Sequence, residues 1–336
     1  MDFCFTEDQL LFKDSMRDVL IKECSPEIVR KTWETREPPQ QLWPLLAEMG
    51  VSGLMIAESY GGLGMSETDL VSILEETGRA ALPLPVVEAN LIAPTIIQSC
   101  PDTDLQNNWL PLMAQGKARA AVHLGSQTYA LNTKDCDFLL IEDNQTIHLL
   151  KPGQWQDEAQ PSVDHSRQLN KIKWTPVEDT IILQGSQAEL LLNRAFNHGA
   201  MGTSAQLLGL TQNLIDVTVE YAKARTQFGK AIGSFQAIKH RLAESLMKLE
   251  FARPVVYRAA ASMAEEHPET DTHVSMAKYY ANQASYFAAK AALQVHGAIG
   301  YSFEYDLHLW MKRVWALNAT WGDTNWHRHR VGQNIL

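Results

Sequence analysis

Arg225-Thr226-Gln227-Phe228-Gly229-Lys230-Ala231-Ile232-Gly233-Ser234-Phe235-Gln236 is the segment of this chain best equipped for chemistry. It closes one apolar-periodic stretch and opens the next, so Arg225 stands in a turn between two helices. A guanidinium placed there offers a planar fork of donors to a pyrophosphate. Gly229 and Gly233 let the backbone bend and come close to a ligand. Gln294-Val295-His296-Gly297-Ala298-Ile299-Gly300-Tyr301 repeats the arrangement, with glycine just past another periodic stretch. Tyr60-Gly61-Gly62-Leu63-Gly64-Met65 must be a turn-rich loop, because glycine is poor helix material. Taken singly, Arg225 fits a surface ion pair and Gly297-Ala298 a helix cap; taken together they point to nucleotide contact.

Other groups carry less. His327-Arg328-His329-Arg330 invites a metal or phosphate reading. Residues two apart face different sides of a helix, so the two histidines would not chelate there. A basic C-terminal helix end complementing the macrodipole is the better expectation. Asp323 reads as a local cap after Gly322, Glu304 as structural, and His296 as a packing or hydrogen-bonding residue. Trp310, Trp315, Trp321 and Trp326 recur at helical spacing, which suits a core or a subunit interface better than a ligand cage. There is no Ser-His-Asp spacing, Walker loop or cysteine–histidine zinc pattern, and no metal site is expected.

The elements that must position these residues are mostly helices. Thr6-Glu7-Asp8-Gln9 is a capping box, followed at helical spacing by Phe12, Met16, Val19 and Leu20. Leu42 to Met49 is a short helix closed by Gly50. Ser66 opens another through Leu70, Ile73, Leu74 and Thr77, stopped near Gly78. Pro83, Pro85 and Pro94 punctuate the next stretch, before a helix from Leu105 to Ala114. Between about Lys117 and Leu183 the pattern turns to strands: 137–142 and 146–150 flank Asp143-Asn144 as a hairpin, and 177–183 is a third candidate. From Gln187 onward four apolar faces read as helices: Leu207, Leu210, Leu214, Val217 and Tyr221; Phe235, Ile238, Leu242, Leu246 and Leu249; Met276, Tyr280, Phe287 and Ala291; Trp310, Val314, Leu317 and Trp321. Pro254 should kink the second of these.

With 336 residues, a net charge of −10 and 45% hydrophobic residues, the chain can bury a sizeable core. Its pI near 5.6 argues against a nucleic-acid binder. Four scattered cysteines, without a C-x-x-C pair, suit a reducing cytoplasm. Neither a signal peptide nor a membrane span is expected from the residues given.

The three glycine-bearing motifs, in this order and on these elements, resemble the acyl-CoA dehydrogenase family over nearly the whole chain. The resemblance implies a mainly α protein with a small β domain: an N-terminal helical domain (1–116), a reduced middle β domain (117–185) and a C-terminal four-helix bundle (186–336). It implies FAD, and α,β-dehydrogenation of an acyl-CoA in which a carboxylate takes the α-proton and the flavin the β-hydride. By the same resemblance Arg225, Thr226, Gln227, Phe228, Phe235, Gln236, Gln294, Gly297 and Ala298 lie against the ADP half of an FAD seated in a neighbouring subunit.

Two departures qualify it. The family's base stands either in a turn after the last long helix, where ungapped alignment puts Trp321, or earlier, where it puts Gly199 followed by Ala200. Neither side chain removes a proton. The T-E-P-x-x-G-S-D-type segment that supports the flavin ring is missing, since Val122-His123-Leu124 passes almost directly to Tyr129-Ala130-Leu131-Asn132. The expectation is a subunit inactive alone, paired as α2β2 with a longer subunit that carries an intact glutamate, with an electron-transfer flavoprotein as acceptor. Such pairs resemble the heteromeric acyl-CoA dehydrogenases of bacterial steroid side-chain degradation, which include short, base-less subunits. The alternatives are a self-sufficient homomer with Asp323 as an atypical base, and a non-catalytic scaffold or flavin-binding subunit.

Overall fold

A computed structural model describes residues 5–125 and 127–335. The helices are α1 (Glu7–Glu23), α2 (Pro26–Thr35), α3 (Leu42–Glu48), α4 (Glu67–Arg79), α5 (Ala93–Ser99), α6 (Thr103–Ala114), α7 (Gly185–Ala224), α8 (Gln236–Ala264), α9 (Thr270–His296), α10 (Leu307–Ala319) and α11 (Thr324–Ile335). The strands are β1 (Ala120–His123), β2 (Ala130–Leu131), β3 (Phe138–Asp143), β4 (Thr146–Leu150), β5 (Trp155–Gln160), β6 (Leu169–Trp174), β7 (Ile181–Leu183), β8 (Thr226–Gln227) and β9 (Lys230–Ala231). Two compact units divide the chain, one of residues 31–70 and 83–202, the other of 1–30, 71–82 and 203–336.

The first unit holds both larger sheets. One has the order β1-β3-β4-β7, the other β2-β6-β5. The expected hairpin is present: β3 and β4 pair antiparallel with Leu139 opposite Leu150, and Asn144 and Gln145 turn at φ 48° and 61°. Phe138, Leu139, Leu140 and Ile141 are all buried, and Trp109 of α6 packs on Phe138 with ring centroids 4.5 Å apart. The third candidate shrinks to Ile181–Leu183, preceded by a 3-10 turn over Glu178–Thr180. Strand β5 escapes sequence reading because its residues are largely polar and its burial follows no two-residue alternation, whereas β6 alternates, with Lys171 and Lys173 exposed between the more buried Asn170, Ile172 and Trp174. Only residues 124–129 connect β1 to β2.

Among the described residues, the regular structure of the second unit is helical apart from the β8–β9 ribbon. The Thr6 capping box forms, with Gln9 N–H donating to Thr6 Oγ1 at 3.2 Å and Thr6 N–H to Gln9 Oε1 at 2.9 Å. Helix α4 stops at Arg79, next to Gly78, as expected, but this glycine has a second role. It lies inside α4, where a Cβ would come within 2.0 Å of the Gln206 carbonyl oxygen, and one on Gly209 of α7 within 1.8 Å of the Glu75 carbonyl oxygen. Two glycines thus bring the backbones of α4 and α7 into contact. Lys13, Arg253 and Tyr257 surround the buried Glu75 carboxylate, while Arg17 grips Glu76 at 2.6 Å. Burial works to raise the Glu75 carboxyl, and Arg253 with Lys13 outweighs it, holding the group below the usual carboxylate range.

The expected faces of α8 and α9 need correction. Of Phe235, Ile238, Leu242, Leu246 and Leu249 only Leu249 is fully buried, and Leu246 is 42% exposed. Tyr280 is likewise exposed and Met276 and Phe287 half-buried, leaving Ala291 alone of its group in the interior. The buried stripes are instead Ala252, Val256, Ala259 and Ala260 of α8, and Ala277, Ala281, Ala284, Ala288 and Ala292 of α9. Small side chains let helices approach closely, and that leaves bulkier residues such as Phe251, 67% exposed, on the outside. Helix α8 continues through Pro254 without a break. The last expected face holds: Trp310, Val314, Leu317 and Trp321 are all buried.

Candidate functional site

Helix α7 closes with Arg225 N–H donating to the Tyr221 carbonyl at 2.8 Å, and the Arg225 carbonyl accepts from Ile232 N–H at 2.8 Å. Between them the chain makes the β8–β9 ribbon, with Thr226 opposite Ala231 and Gln227 opposite Lys230. Phe228 and Gly229 turn it at φ 54° and 78°. A bulky side chain is disfavoured in left-handed backbone, yet Phe228 holds that conformation with its ring 92% exposed. Strain of this kind collects where a ligand or partner is met. The Phe228 ring stands edge-on to Phe235 at 6.1 Å, and Lys230 Nζ lies 4.5 Å over the Phe235 ring. Arg225, Thr226, Gln227 and Gln236 are exposed, and Phe235 is half-buried.

The end of α9 sits at the same end of this unit. Tyr221, one turn before Arg225, stacks on His296 with centroids 4.2 Å apart, and its hydroxyl lies 3.4 Å from the His296 carbonyl. Tyr305 closes on both rings, at 6.1 Å from Tyr221 and 5.1 Å from His296. Burial keeps His296 below its ordinary pKa, and its Nδ1–H donates to the Ala292 carbonyl at 2.8 Å. His296 is therefore a packing residue. Next to it Gly297 takes φ 64° and ψ −140°, a region open essentially to glycine, and a Cβ there would meet nothing within 4 Å. Gln294, Gly297 and Ala298 are all exposed. The fold thus brings the ends of α7 and α9 together and leaves the polar side chains of Arg225, Thr226, Gln227, Gln236 and Gln294 open to solvent.

The Trp321 turn is closed. Trp321 and Gly322 bend the chain at φ 55° and 89°, with the indole only 3% exposed. His327 Nε2–H donates to the Trp321 carbonyl at 2.8 Å. Lys278, wholly buried, sends its ammonium to Asn282 Oδ1 at 2.9 Å and to the carbonyls of Leu317 and Gly322 at 3.0 and 3.2 Å. A Cβ on Gly322 would lie 2.6 Å from His327 Nε2. Asp323 is exposed and its Oδ1 accepts from Trp326 N–H at 2.8 Å, the local capping role expected of it. Burial pushes His327 down to about 3, so it is neutral at ordinary pH.

Gly199 is buried within α7, with Ala200 buried beside it. One residue earlier stands a pair that sequence reasoning missed. His198 Nε2 lies 2.8 Å from Glu67 Oε1, both are buried, and Arg194 is 3.7 Å from the same oxygen. Burial holds the imidazole below its ordinary pKa. It also works to raise Glu67, but the His198 hydrogen bond and Arg194 bring that carboxyl below the usual range. Nothing local in the sequence announces a contact between residues so far apart.

The His327–Arg330 run is not a basic helix end. It occupies the first two turns of α11, and the last turn holds no basic residue. The reason is that α11 begins at the Asp323 cap, so the run falls early and points partly inward: His327 is buried and Arg330 pairs with Asp271 at 2.9 Å. Glu304 is exposed, and its N–H donates to Ser302 Oγ at 3.2 Å. His267, Glu269 and His273 bring potential ligand atoms within 4.8 Å of one another. Arg258 already sits 2.8 Å from His273 Nε2 and Ser262 Oγ 2.8 Å from its Nδ1, an arrangement that disfavours a cation.

Comparison with known proteins follows the same lines. Residues 6–117 match the family model described as acyl-CoA dehydrogenase, N-terminal domain, and residues 190–336 match acyl-CoA dehydrogenase, C-terminal domain. The chain is 30% identical to acyl-CoA dehydrogenase IpdE2 of Mycobacterium tuberculosis, over 92% of this chain and 91% of that one. It is 29% identical to IpdE2 of Mycolicibacterium smegmatis, over 92% and 93%. The ChsE4-ChsE5 complex of Mycobacterium tuberculosis shares its fold with a TM-score of 0.87, 21% identity and coverage of 100% of this chain and 99% of that chain. The Tcur3481-Tcur3483 steroid ACAD does so with a TM-score of 0.83, 19% identity and coverage of 98% of both.

Proposed function

The chain belongs to the acyl-CoA dehydrogenase family, and from that premise we propose that it is a non-catalytic half of a heteromeric, FAD-dependent enzyme. Its partner, a longer subunit with an intact glutamate, removes the α-proton of an acyl-CoA. This chain clamps the ADP end of the partner's FAD. One observation carries the reading: the turn where the family's base can stand holds a buried tryptophan, while the nucleotide-facing turns lie open.

Bound flavin supplies the acceptor for the β-hydride. The chain's own residues bind and orient. Arg225 would hold the pyrophosphate, and Thr226, Gln227, Gln236 and Gln294 would add polar contacts. Phe228 and Phe235 offer ring faces and edges, while Gly297 and Ala298 let the backbone come near. Trp321 excludes both water and a carboxylate from the base position. Residues 117–185 form the reduced middle domain between 1–116 and 186–336, and the short 124–129 connection leaves the flavin ring to the partner. An α2β2 assembly then has two complete sites, passes electrons to an electron-transfer flavoprotein and works in the cytoplasm. A steroid side-chain CoA thioester is the substrate class favoured by the likeness to a steroid ACAD and to a two-protein complex.

The test is reconstitution. The chain is purified alone and with the product of the neighbouring gene, and flavin content and ferricenium reduction are measured. Negligible turnover alone and full turnover together are expected. Stoichiometric FAD and turnover from this chain alone would overturn the reading, and an unchanged partner rate on mixing would make the chain a scaffold.

A further inference from the structure

Residues 299–303, between α9 and α10, carry three large apolar side chains that the flavin clamp does not use. Ile299 is 37% exposed, Tyr301 69% and Phe303 64%. Their outward setting has a local cause. Gly300 is buried, and a Cβ there would lie 2.8 Å from His296 Cβ and 3.2 Å from Leu307. With the glycine pressed inward, Ile299 and Tyr301 on either side are turned to solvent. Ser302 N–H donates to the Ile299 carbonyl at 3.1 Å and fixes the turn. Lys312 Nζ stands 4.5 Å over the Phe303 ring, and His308 meets it edge-on at 5.1 Å. The Phe303 ring is thus held in place in the free chain and loses little freedom on contact. Aromatic side chains of this kind dominate binding at protein interfaces.

Position and charge name the occupant. The segment follows directly on Gly297-Ala298, and Tyr305 just beyond it closes on Tyr221 and His296. It therefore borders the turns that carry Arg225 and Gln294. The charges of these segments are mainly positive: Arg225, Lys230 and Lys312 against the exposed Glu304. Lys223 is paired with Glu220 at 2.7 Å, and Asp306 with Arg30 at 2.9 Å. A second copy of this chain would meet itself here patch on patch and bring those cations together. A different chain that carries an anionic nucleotide meets them with opposite charge.

We propose that Ile299, Tyr301 and Phe303 anchor the longer subunit directly, so that the two chains associate without flavin and the nucleotide is clamped afterwards. This rests on the heteromer reading but not on the ADP contacts. The full-length chain and the neighbouring gene's product, both stripped of flavin, are mixed and followed by sedimentation velocity, with and without saturating FAD. A complex is expected in both cases. Tyr301→Ser and Phe303→Ser should each weaken it roughly thirtyfold, the loss typical of an interface hot spot. Their urea midpoints should match the wild type, since both side chains are mostly exposed. Leu11→Ser, at a position 67% exposed on α1, should leave the affinity unchanged. A complex that forms only with FAD overturns the proposal and leaves the heteromer standing. So does an affinity indifferent to Tyr301→Ser and Phe303→Ser, or one lowered equally by Leu11→Ser. A homodimer of this chain alone, broken by Phe303→Ser, would assign the surface to a second copy and overturn it too. No complex with or without FAD would end the heteromer reading itself, and the proposal with it.

Discussion

Two turns of the helical unit use the same local device and reach opposite ends. In each an aromatic residue and a glycine follow one another in left-handed backbone: Phe228 and Gly229 at φ 54° and 78°, Trp321 and Gly322 at 55° and 89°. At the first the ring is held out in solvent, 92% exposed, and a Cβ on the glycine would meet nothing. At the second the ring is buried, both carbonyls are taken by His327 and Lys278, and the glycine is packed against His327. Backbone strain alone is therefore no sign of a site. What separates the open turn from the closed one is whether its polar groups and apolar ring are already satisfied within the chain.

Lys278→Met should give the largest effect, because it strips the donor from Asn282 and from the carbonyls ending α10. A loss of about 4 kcal/mol is expected in urea unfolding. A loss below about 1 kcal/mol would mean that the turn is not locked from within. Arg225→Ala should act oppositely. It should leave the isolated chain's stability unchanged and weaken FAD in the reconstituted complex about a hundredfold, read from flavin release on dilution. Unaltered flavin affinity would end the ADP-clamp reading.

The glycines sharpen the contrast. Gly322→Ala should cost about 3 kcal/mol, since strain and the clash with His327 add, whereas Gly229→Ala should cost only about 1 kcal/mol for left-handed backbone. Equal losses would erase the distinction.

His327 adds a pH signature. Unfolded, it takes up a proton near pH 6.5; folded, it stays neutral down to about 3. The unfolded chain binds the extra proton across that window, so this stabilisation is complete above pH 6.5 and drains away as pH falls toward 3. The slope is at most about 1.4 kcal/mol per pH unit. His327→Gln keeps a donor near the Trp321 carbonyl and should flatten that slope by one proton, measured from urea midpoints at pH 7 and 4.5. The smallest effect belongs to Asp323→Ala, about 1 kcal/mol from a lost cap, with turnover of the complex unchanged; a collapse of turnover would make Asp323 a base after all.

Where residue type and local periodicity settle the outcome, the fold was legible. Thr6 and Gln9 form their box, Asn144 turns its hairpin, and the Trp310–Trp321 face is buried. Legibility failed where the decision was not local. Leu246 and Tyr280 looked like core positions, but an alanine stripe on each helix takes the contact and turns them outward. Strand β5 carries no alternation to read, because its polar side chains are mostly solvated, while in β6 the alternation of Lys171 and Lys173 with Ile172 and Trp174 was there to be read. Gly78 does mark the end of α4, but nothing local shows that it also lets two helices touch.

The amino-acid order by itself determined the helical plan, the family, the absence of a carboxylate at Trp321 and Gly199, and the presence of Arg225 with its glycines. These are matters of which atoms exist, and no packing can supply a missing acid. The tertiary structure alone decided that Tyr221 on His296 joins two distant motifs at one end of the unit, that Lys278 and His327 close one left-handed turn while its counterpart stays open, and that His198 meets Glu67. Each of those depends on burial and on contacts between residues far apart in the chain, which cost ordering entropy and form only when the whole core repays it.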